Sequence, residues 1–189
     1  MVITSFKELK KYINSDSYRY TGGGGKIKLY FTTIGFRYLF WMRICSYLKT
    51  KKPLFPFWVL AWLELQYISR RSCIQIPYST EIGEGFYIGH FGTIVVNGAS
   101  IIGKNVNISP GVNIGQANRG KNKGTPIIGN EVYIGPGAKI VGAVKIGNNV
   151  AIGANAVVTK DIPDNACVAG VPAKIISMDG ARGYINRKI

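Results

Sequence analysis

"IIGNEVYIGPGAKIVGAVKIGNNVAIGANAVV", residues 127–158, places an aliphatic residue at every sixth position. The same six-residue spacing of aliphatic residues precedes this stretch, from Ile76 to Ile94 and from Val96 to Ile114. A period of six fits neither an amphipathic helix nor an alternating hairpin. It fits short strands joined by tight corners, with each aliphatic side chain pointing inward. Three such sides would close a triangular prism of about eighteen residues per coil, each coil resting on the one before.

Two further patterns accompany the repeat. Glycine often follows the aliphatic residue directly, and we interpret it as the residue that supplies positive φ at the corners. The six-residue period shifts by two residues at 94–96 and is interrupted between Ile114 and Ile128. Both irregularities are expected to be insertions at corners of the prism.

Charge and cysteine content limit the environment. The chain has 24 Lys and Arg against 9 Asp and Glu, and residues 1–73 carry +10 of the net charge of +15. This uneven excess indicates an anionic partner, a membrane or a nucleic acid, or else a solvated charged face. The odd number of cysteines without metal-type spacing is typical of a reducing compartment. The first fifteen residues lack the apolar core of a signal peptide, so we expect a cytoplasmic protein.

The repeats, together with "IGANAVVTKDIPDNACVAGVPAKII" at 152–176, resemble the hexapeptide-repeat acyltransferases. Within them, the likeness is to serine acetyltransferases and their glycan-modifying relatives. The resemblance implies a mainly β fold, a left-handed parallel β-helix over residues 74–177, with loop 115–126 extended from the prism. An N-terminal α-helical, basic and aromatic region would occupy residues 1–73, and a C-terminal tail would occupy residues 178–189. The resemblance also implies a homotrimer with active sites between neighbouring prisms, acetyl-CoA as donor and no metal.

The only histidine of the chain falls in a second similar stretch. "GHFGTIVVNGASIIGKNV", residues 89–106, is similar to the segment that carries the catalytic histidine of serine acetyltransferases, which makes His90 the candidate general base. Histidine suits this role because it accepts and releases protons near neutral pH; an ordinary structural histidine is the alternative. Serine acetyltransferases place an aspartate fifteen residues earlier, where this chain has Gln75. We therefore expect a backbone carbonyl, Glu81 or Glu84 to orient the ring.

The acceptor is less well defined by the resemblance. The loop 115–126 matches the family's active-site loop in length, but Gly124 and Thr125 stand where the family has the Arg-His pair that recognises the serine carboxylate. Gly89 replaces an aspartate beside the catalytic histidine. Recognition of a zwitterion needs paired charges, so Gln75, Gly89 and Thr125 predict a different acceptor. We expect a sugar hydroxyl in surface-polysaccharide assembly; the alternatives are L-serine and a non-catalytic trimeric scaffold. The loop itself is a lid or a solvated excursion.

The resemblance also implies a donor groove between prisms. The residues that match the family's coenzyme A contacts are Pro136, Ala154, Thr159, Lys160 and Lys174. The two lysines are candidate partners of the nucleotide phosphates or ordinary surface residues. Nucleic-acid binding has only the positive charge in its favour, because no recognised module is present.

Residues 27–71 form two apolar, aromatic stretches separated by the basic turn "KTKKP" at 49–53. The uncharged run 53–63 is too short to span a bilayer. We predict a helical hairpin that either packs on the base of the prism or lies at the inner face of the cytoplasmic membrane, with Trp41, Trp58 and Trp62 at the interface.

Overall fold

Four α-helices precede the strands in the computed structural model, which describes residues 2–189. The helices are α1 (Phe6–Thr21), α2 (Lys26–Thr32), α3 (Ile34–Leu48) and α4 (Phe55–Ser72). A 3₁₀ turn, Lys52–Leu54, connects α3 to α4. The predicted hairpin over 27–71 is therefore wrong in one respect: it holds three helices, because Thr33 adopts an extended conformation and ends α2. The first residue of the 1–73 region lies outside the described residues.

Fifteen short strands follow, arranged in coils of three. The first coil holds β1 (Ile74–Gln75), β2 (Glu81–Ile82) and β3 (Tyr87–Ile88), and the second β4 (Ile94–Val96), β5 (Ile101–Ile102) and β6 (Asn107–Ile108). The third holds β7 (Asn113–Gly115), β8 (Ile127–Ile128) and β9 (Tyr133–Ile134), and the fourth β10 (Lys139–Val141), β11 (Lys145–Ile146) and β12 (Ala151–Ile152). The last strands are β13 (Val157–Val158), β14 (Cys167–Ala169) and β15 (Lys174–Ser177).

Strands of successive coils stack into three parallel sheets. Sheet A contains β1, β4, β7, β10 and β13; sheet B contains β2, β5, β8 and β11; sheet C contains β3, β6, β9, β12, β14 and the antiparallel β15. In-register pairs such as Ile102 with Ile128 and Ile108 with Ile134 bring the repeated aliphatic side chains into columns. These side chains are buried and form one continuous core with α3 and α4. The prism predicted from the six-residue period is confirmed.

The two irregularities of the repeat are both insertions at corners, as predicted. The gap after Ile114 lies at the corner between sheets A and B. The slip at 94–96 arises at the corner between sheets C and A. Ile88 pairs with Ile108 and Val96 with Ile114, so the first passage from sheet C to sheet A is two residues longer than the second. Because Ile94 is buried in β4, the additional residues lie in the corner 89–93.

The glycines that follow the aliphatic residues do not supply positive φ, so that interpretation was wrong. A Cβ on Gly103 would lie 2.5 Å from the carbonyl oxygen of Gly129, and one on Gly129 would lie 2.7 Å from that of Gly147. These glycines allow the backbones of successive coils to approach each other. Positive φ occurs elsewhere: at the corner between sheets B and C it is adopted by Asn105, Asn149 and other non-glycine residues, and at the corner between sheets C and A by glycines such as Gly111 and Gly137. Asparagine tolerates this conformation better than most residues.

The lower edge of the prism is closed by side chains from α1 and α3. In sheet A, the Tyr38 hydroxyl donates to the Ile76 carbonyl at 2.8 Å and accepts from the Ile76 amide at 2.9 Å. In sheet C, the Tyr20 hydroxyl makes the same pair of bonds with Ile88, each 3.0 Å long. Each tyrosine takes the place that a backbone group of a preceding coil would occupy.

An arginine closes the edge of sheet B. Arg43 is fully buried and donates to the carbonyl oxygens of Ile82 and Gly83, both at 2.8 Å. Its charge is matched by Asp16, which lies 2.9 Å away on α1 and also accepts a hydrogen bond from the Phe86 amide. Burial raises the pKa of the Asp16 carboxyl, and the Arg43 charge opposes this shift. The ion pair thus joins two helices to the first coil.

The other end of the prism is covered by the chain after the last coil. β15 folds back antiparallel on β14. Residues 178–189 then run along sheet C, where Tyr184 stacks on Tyr133 with ring centroids 4.3 Å apart. The backbone of Ile189 exchanges hydrogen bonds with the Asn105 side chain. Tail, prism and α1 therefore form one packed body.

The contact of α3 with β3 provides a test of the packing of the helices against the lower edge of the prism. A Cβ on Gly35 would lie 2.2 Å from the Ile88 carbonyl oxygen. Alanine normally favours a helix over glycine by roughly 1 kcal/mol, but we expect Gly35→Ala to destabilise the protein by about 1–3 kcal/mol through overpacking. Chemical denaturation measures the change. Gly24→Ala is the control, because nothing lies within 4 Å of its Cβ; a Gly35→Ala protein as stable as this control would contradict the close packing.

Candidate active site

The corners that lead from sheet C to sheet A stack into one long edge of the prism, here called the CA edge. It consists of residues 89–93, 109–112, 135–138 and 153–156. Backbone hydrogen bonds join successive corners, from the Gly137 amide to the Pro110 carbonyl and from the Asn155 amide to the Pro136 carbonyl, each 2.8 Å. The candidate base His90 and two candidate donor contacts, Pro136 and Ala154, therefore share this edge.

His90 occupies the lowest corner of the CA edge and is exposed. Its imidazole makes no hydrogen bond or ion pair with any other residue of 2–189. The backbone on both sides of it is fixed, by the Tyr20 hydroxyl at Ile88 and by the Gly92 amide, which donates to the Ser72 carbonyl at 3.0 Å. The ring thus projects from a rigid corner and is free to meet another molecule.

The predicted acidic partners of His90 are wrong. Glu84 lies at the corner between sheets B and C, where its carboxylate binds Lys11 at 2.8 Å and Lys104 at 3.6 Å. Burial alone would raise the pKa of Glu84, but the hydrogen bond and charge of Lys11, assisted by Lys104, lower it. Glu81 is on the outer face of sheet B. Neither carboxylate belongs to the CA edge.

The three candidate acceptor residues lie in three places: at the CA edge, on β1, and at the corner between sheets A and B. Gly89 adjoins His90 and packs on Tyr87, whose ring carbon would lie 3.0 Å from a Cβ at this position. Gln75 is exposed on the outer face of β1. It is paired with Val95, which follows His90 by five residues in the sequence. Thr125 lies at the corner between sheets A and B, where its hydroxyl donates to the Ala99 carbonyl at 3.1 Å. One chain alone brings only Gln75 and Gly89 to the side of His90.

A groove of about 490 Å³ begins at Gln75 and runs between α4 and the outer faces of β1 and β4. Its walls include the rings of Trp62 and Tyr78 and the polar side chains of Gln66 and Ser69. No charged residue lines it. The amides of Gln66 and Gln75 have no hydrogen-bond partner among the described residues. Sequence analysis missed the α4 residues, although Trp62 and Gln66 lie one helical turn apart on one face.

Two of the candidate donor residues lie at the opposite border of sheet A, here called the AB edge. Thr159 and Lys160 form its uppermost corner, and Lys160 is exposed. Lys174 lies on β15 and is also exposed. The donor candidates of a single chain are thus separated by the width of sheet A, with Pro136 and Ala154 on the CA edge.

The loop 115–126 is folded against the AB edge. Its backbone closes on itself through two hydrogen bonds of 3.0 Å between Ala117 and Gly124. Asn122 fixes the loop to the coils above, since its carbonyl accepts from the Ala143 amide at 2.8 Å and its side chain donates to the Thr159 carbonyl at 2.7 Å. The loop therefore reaches from Thr125 to the candidate donor residue Thr159.

Comparisons with known proteins agree with this architecture. The family "Bacterial transferase hexapeptide (six repeats)" matches residues 125–160. A serine acetyltransferase of Staphylococcus aureus is 39% identical over 109 residues, which are 58% of this chain and 51% of that protein. The chain spans about half the length of the curated relatives it matches.

Two solved structures extend the likeness to the N-terminal helices. A serine acetyltransferase of Neisseria gonorrhoeae in complex with serine has 28% identity and a TM-score of 0.71, covering 92% of this chain and 71% of that one. A serine acetyltransferase in complex with coenzyme A has 31% identity and a TM-score of 0.70, covering 89% and 68%. The predicted left-handed parallel β-helix with an N-terminal helical region is confirmed.

The anchoring of the loop yields a prediction. Asn122→Ala removes only the side-chain bond to Thr159, and losing one such bond of about 1 kcal/mol should raise amide hydrogen exchange at Ala117 and Gly124 about fivefold. Hydrogen-exchange mass spectrometry measures this change. Lys121→Ala, at the exposed tip of the loop, should leave both amides unchanged; equal exchange in the two variants would show that Asn122 does not hold the loop.

Proposed function

Because the chain belongs to the hexapeptide-repeat transferases and is serine acetyltransferase-like, we propose that it is an acetyl-CoA-dependent O-acetyltransferase with His90 as general base. One observation carries the proposal: the sole histidine of the chain projects from a fixed corner of the same edge as Pro136 and Ala154. The relatives cited above support acetyl transfer as the type of reaction.

The chemistry needs one group that both accepts and returns a proton. His90 takes the proton of the acceptor hydroxyl while the oxygen forms a bond to the thioester carbonyl carbon. When the tetrahedral intermediate collapses, the carbon–sulfur bond breaks and the departing thiolate receives that proton from the imidazolium. The acetyl ester and the coenzyme A thiol are the products, and His90 is again neutral.

A homotrimer would complete the site. In one chain, His90, Pro136 and Ala154 lie on the CA edge, whereas the loop, Thr159 and Lys160 lie on the AB edge. Packing of the CA edge of one prism against the AB edge of the next would bring both sets to one cleft. The exposed ammonium groups of Lys160 and Lys174 would then be available to the nucleotide phosphates.

L-serine is the acceptor that the comparisons favour. The relatives cited above are serine acetyltransferases, and one of them was solved with serine. They support this alternative better than the glycan acceptor that the sequence analysis put first. If serine is the acceptor, its carboxylate and ammonium groups must find partners other than residues 75, 89, 124 and 125, none of which is charged.

A neutral sugar hydroxyl, as in surface-polysaccharide assembly, is the second candidate acceptor. The uncharged groove beside Gln75 favours it, because two aromatic rings and two unpartnered amides suit the apolar faces and hydroxyl groups of a sugar ring. The groove lacks the charges that hold a zwitterion in place.

We also propose that the enzyme acts in the cytoplasm as a peripheral protein of the inner face of the cytoplasmic membrane, bound through residues 27–71. The nine Lys and Arg of residues 26–72 against one acidic residue, Glu64, support this location.

The role of His90 as general base is tested by His90→Ala. We expect the rate of acetyl transfer from acetyl-CoA to fall about a hundredfold or more, the usual scale for a lost general base, while the oligomer and the melting temperature stay unchanged. Thiol release monitored with serine, nucleotide sugars and lipid-linked oligosaccharides as acceptors gives the rate. Full activity in a folded His90→Ala protein would remove His90 from the mechanism, and inactivity of the unsubstituted protein with every acceptor would favour a non-catalytic scaffold.

The acceptor is tested by saturation kinetics. Because no charged side chain stands at residues 75, 89, 124 or 125, we expect transfer to L-serine to saturate only at concentrations of about 1 mM or higher. Neutral methyl glycosides and disaccharides are measured beside it. Efficient saturation by L-serine well below that concentration would assign serine and exclude the sugar acceptor.

A further inference from the structure

The membrane-facing residues expected from composition are not the ones that the structure exposes. Trp41 is half-buried and donates a hydrogen bond to the Tyr30 hydroxyl at 3.0 Å. Trp58 is half-buried between Phe55, Trp62 and Tyr78. Trp62 is 37% exposed and lines the groove beside Gln75. Packing against the protein therefore accounts for Trp41 and Trp58, but only in part for Trp62.

A different set of apolar side chains is open to solvent. On α2, Ile27 and Phe31 are 79% and 75% exposed, and on α4, Leu60 and Leu63 are 64% and 52% exposed. Phe57 and Tyr67 continue the strip on α4, since residues 57, 60, 63 or 64, and 67 share one helix face. Contiguous exposed apolar side chains of this kind mark an interaction surface.

The two strips flank a common residue on α3. The Arg37 guanidinium lies 6.0 Å from the centre of the Tyr30 ring of α2 and 3.5 Å from the Glu64 carboxylate of α4. The opposite face of α3 carries Tyr38 and Arg43, which close the lower edge of the prism. Helix α3 therefore separates α2 from the first coil, whereas α4 packs against α3 on one side and against β1 on another, where the Ser69 hydroxyl donates to the Ile74 carbonyl at 2.6 Å.

An apolar trough opens beside the α2 strip. It encloses about 290 Å³ between α1, α2 and α3, and its walls are the rings of Tyr30, Phe31, Phe36 and Phe40 with the side chains of Ile13 and Ile27. The one charged residue in its lining is Lys26, at the start of α2. This arrangement fits a hydrocarbon chain below an anionic headgroup.

Cations surround the exposed strips. Arg43 and Arg37 are paired with Asp16 and Glu64. The remaining cations of this region form no ion pair within residues 2–189; they are Lys26, Lys28, Lys49, Lys51, Lys52, Arg70 and Arg71. Three of them lie against the aromatic rings of Trp58, Tyr47 and Tyr67, with the ammonium or guanidinium group 4.6–5.6 Å from the ring centre. Apolar strips ringed by cations are complementary to an anionic bilayer.

We propose that this base, formed by α2, α4 and the trough, docks on an anionic phospholipid bilayer and takes one acyl chain into the trough. The proposal deepens the membrane location stated under the proposed function, and it does not depend on acetyl transfer. No helix among residues 2–189 is long and apolar enough to cross a membrane. In a trimer with parallel prism axes, three such bases would face the same way, which multiplies their affinity.

Flotation of the full-length protein with vesicles tests the proposal. We expect it to float with phosphatidylglycerol vesicles at low salt and to remain in the soluble fraction with phosphatidylcholine vesicles. Replacing Ile27 and Phe31 by serine should lower the bound fraction roughly tenfold or more, because each side chain contributes through its buried apolar area. Leu60→Ser with Leu63→Ser should act in the same direction. Point variants are required, because deletion of residues 1–71 would remove Tyr20, Tyr38 and Arg43 from the lower edge of the prism.

The matched control is Ile176→Ser with Met178→Ser. These two side chains are also exposed, at 69% and 57%, but they lie at the opposite end of the prism, so flotation should be unchanged. Failure of the protein to float, or equal loss in the control, would overturn the proposal. So would a smaller oligomer of the Ile27, Phe31 variant in analytical ultracentrifugation, because the strip would then be a contact between copies of this chain. None of these results depends on acetyl transfer. The folded variants of the α2 and α4 strips should retain that activity.

Discussion

The open lower edge of the β-helix is the constraint on which the rest of this structure depends. A coil of β-helix satisfies its backbone groups through the coils above and below, and the first coil has nothing below it. Buried backbone groups left unpaired would cost about 1–3 kcal/mol each. Here Tyr38, Arg43 and Tyr20 supply the missing partners of sheets A, B and C. The N-terminal helices are therefore part of the β-helix rather than a separate unit, and α3 is apolar on most of its surface because it lies between the first coil and the outer helices.

This constraint also explains how much of the fold the sequence could predict. A six-residue period specifies which side chains point inward, and the prism follows from Ile128, Ile134 and their equivalents. The period carries no information about contacts between coils, which in the paired strands join residues 16 to 26 positions apart. For that reason the role of Gly103 and Gly129 was misassigned to corner conformation, although their function is to let two backbones meet. The partnership of Tyr20 with Ile88, across 68 positions, has no local signature either.

The candidate site divides in the same way. His90 could be singled out because a short motif surrounds it and because the chain has no other histidine. Its surroundings depend on long-range placement: Glu84 looked like a partner in the sequence, but it is held by Lys11 at another corner. The groove was equally hidden, since it requires α4 to turn back beside β1. Cys73 makes that turn with a left-handed conformation, φ 55°, and so brings Trp62 and Gln66 over Gln75.

The position of His90 along the prism connects the helical layer below the first coil to the proposed chemistry. Successive coils are about 4.8 Å apart, and His90 lies at the first CA corner, directly above the helical layer. Pro136 and Ala154 lie two and three corners higher, roughly 10 and 15 Å away along the axis. The candidate donor residues are thus at the end of the CA edge that faces away from the helices, and the candidate general base His90 is at the end nearest to them. An acceptor held at a lipid surface would meet His90 from below while acetyl-CoA reached it from above, so membrane docking and acetyl transfer would use opposite ends of one edge without competing for space.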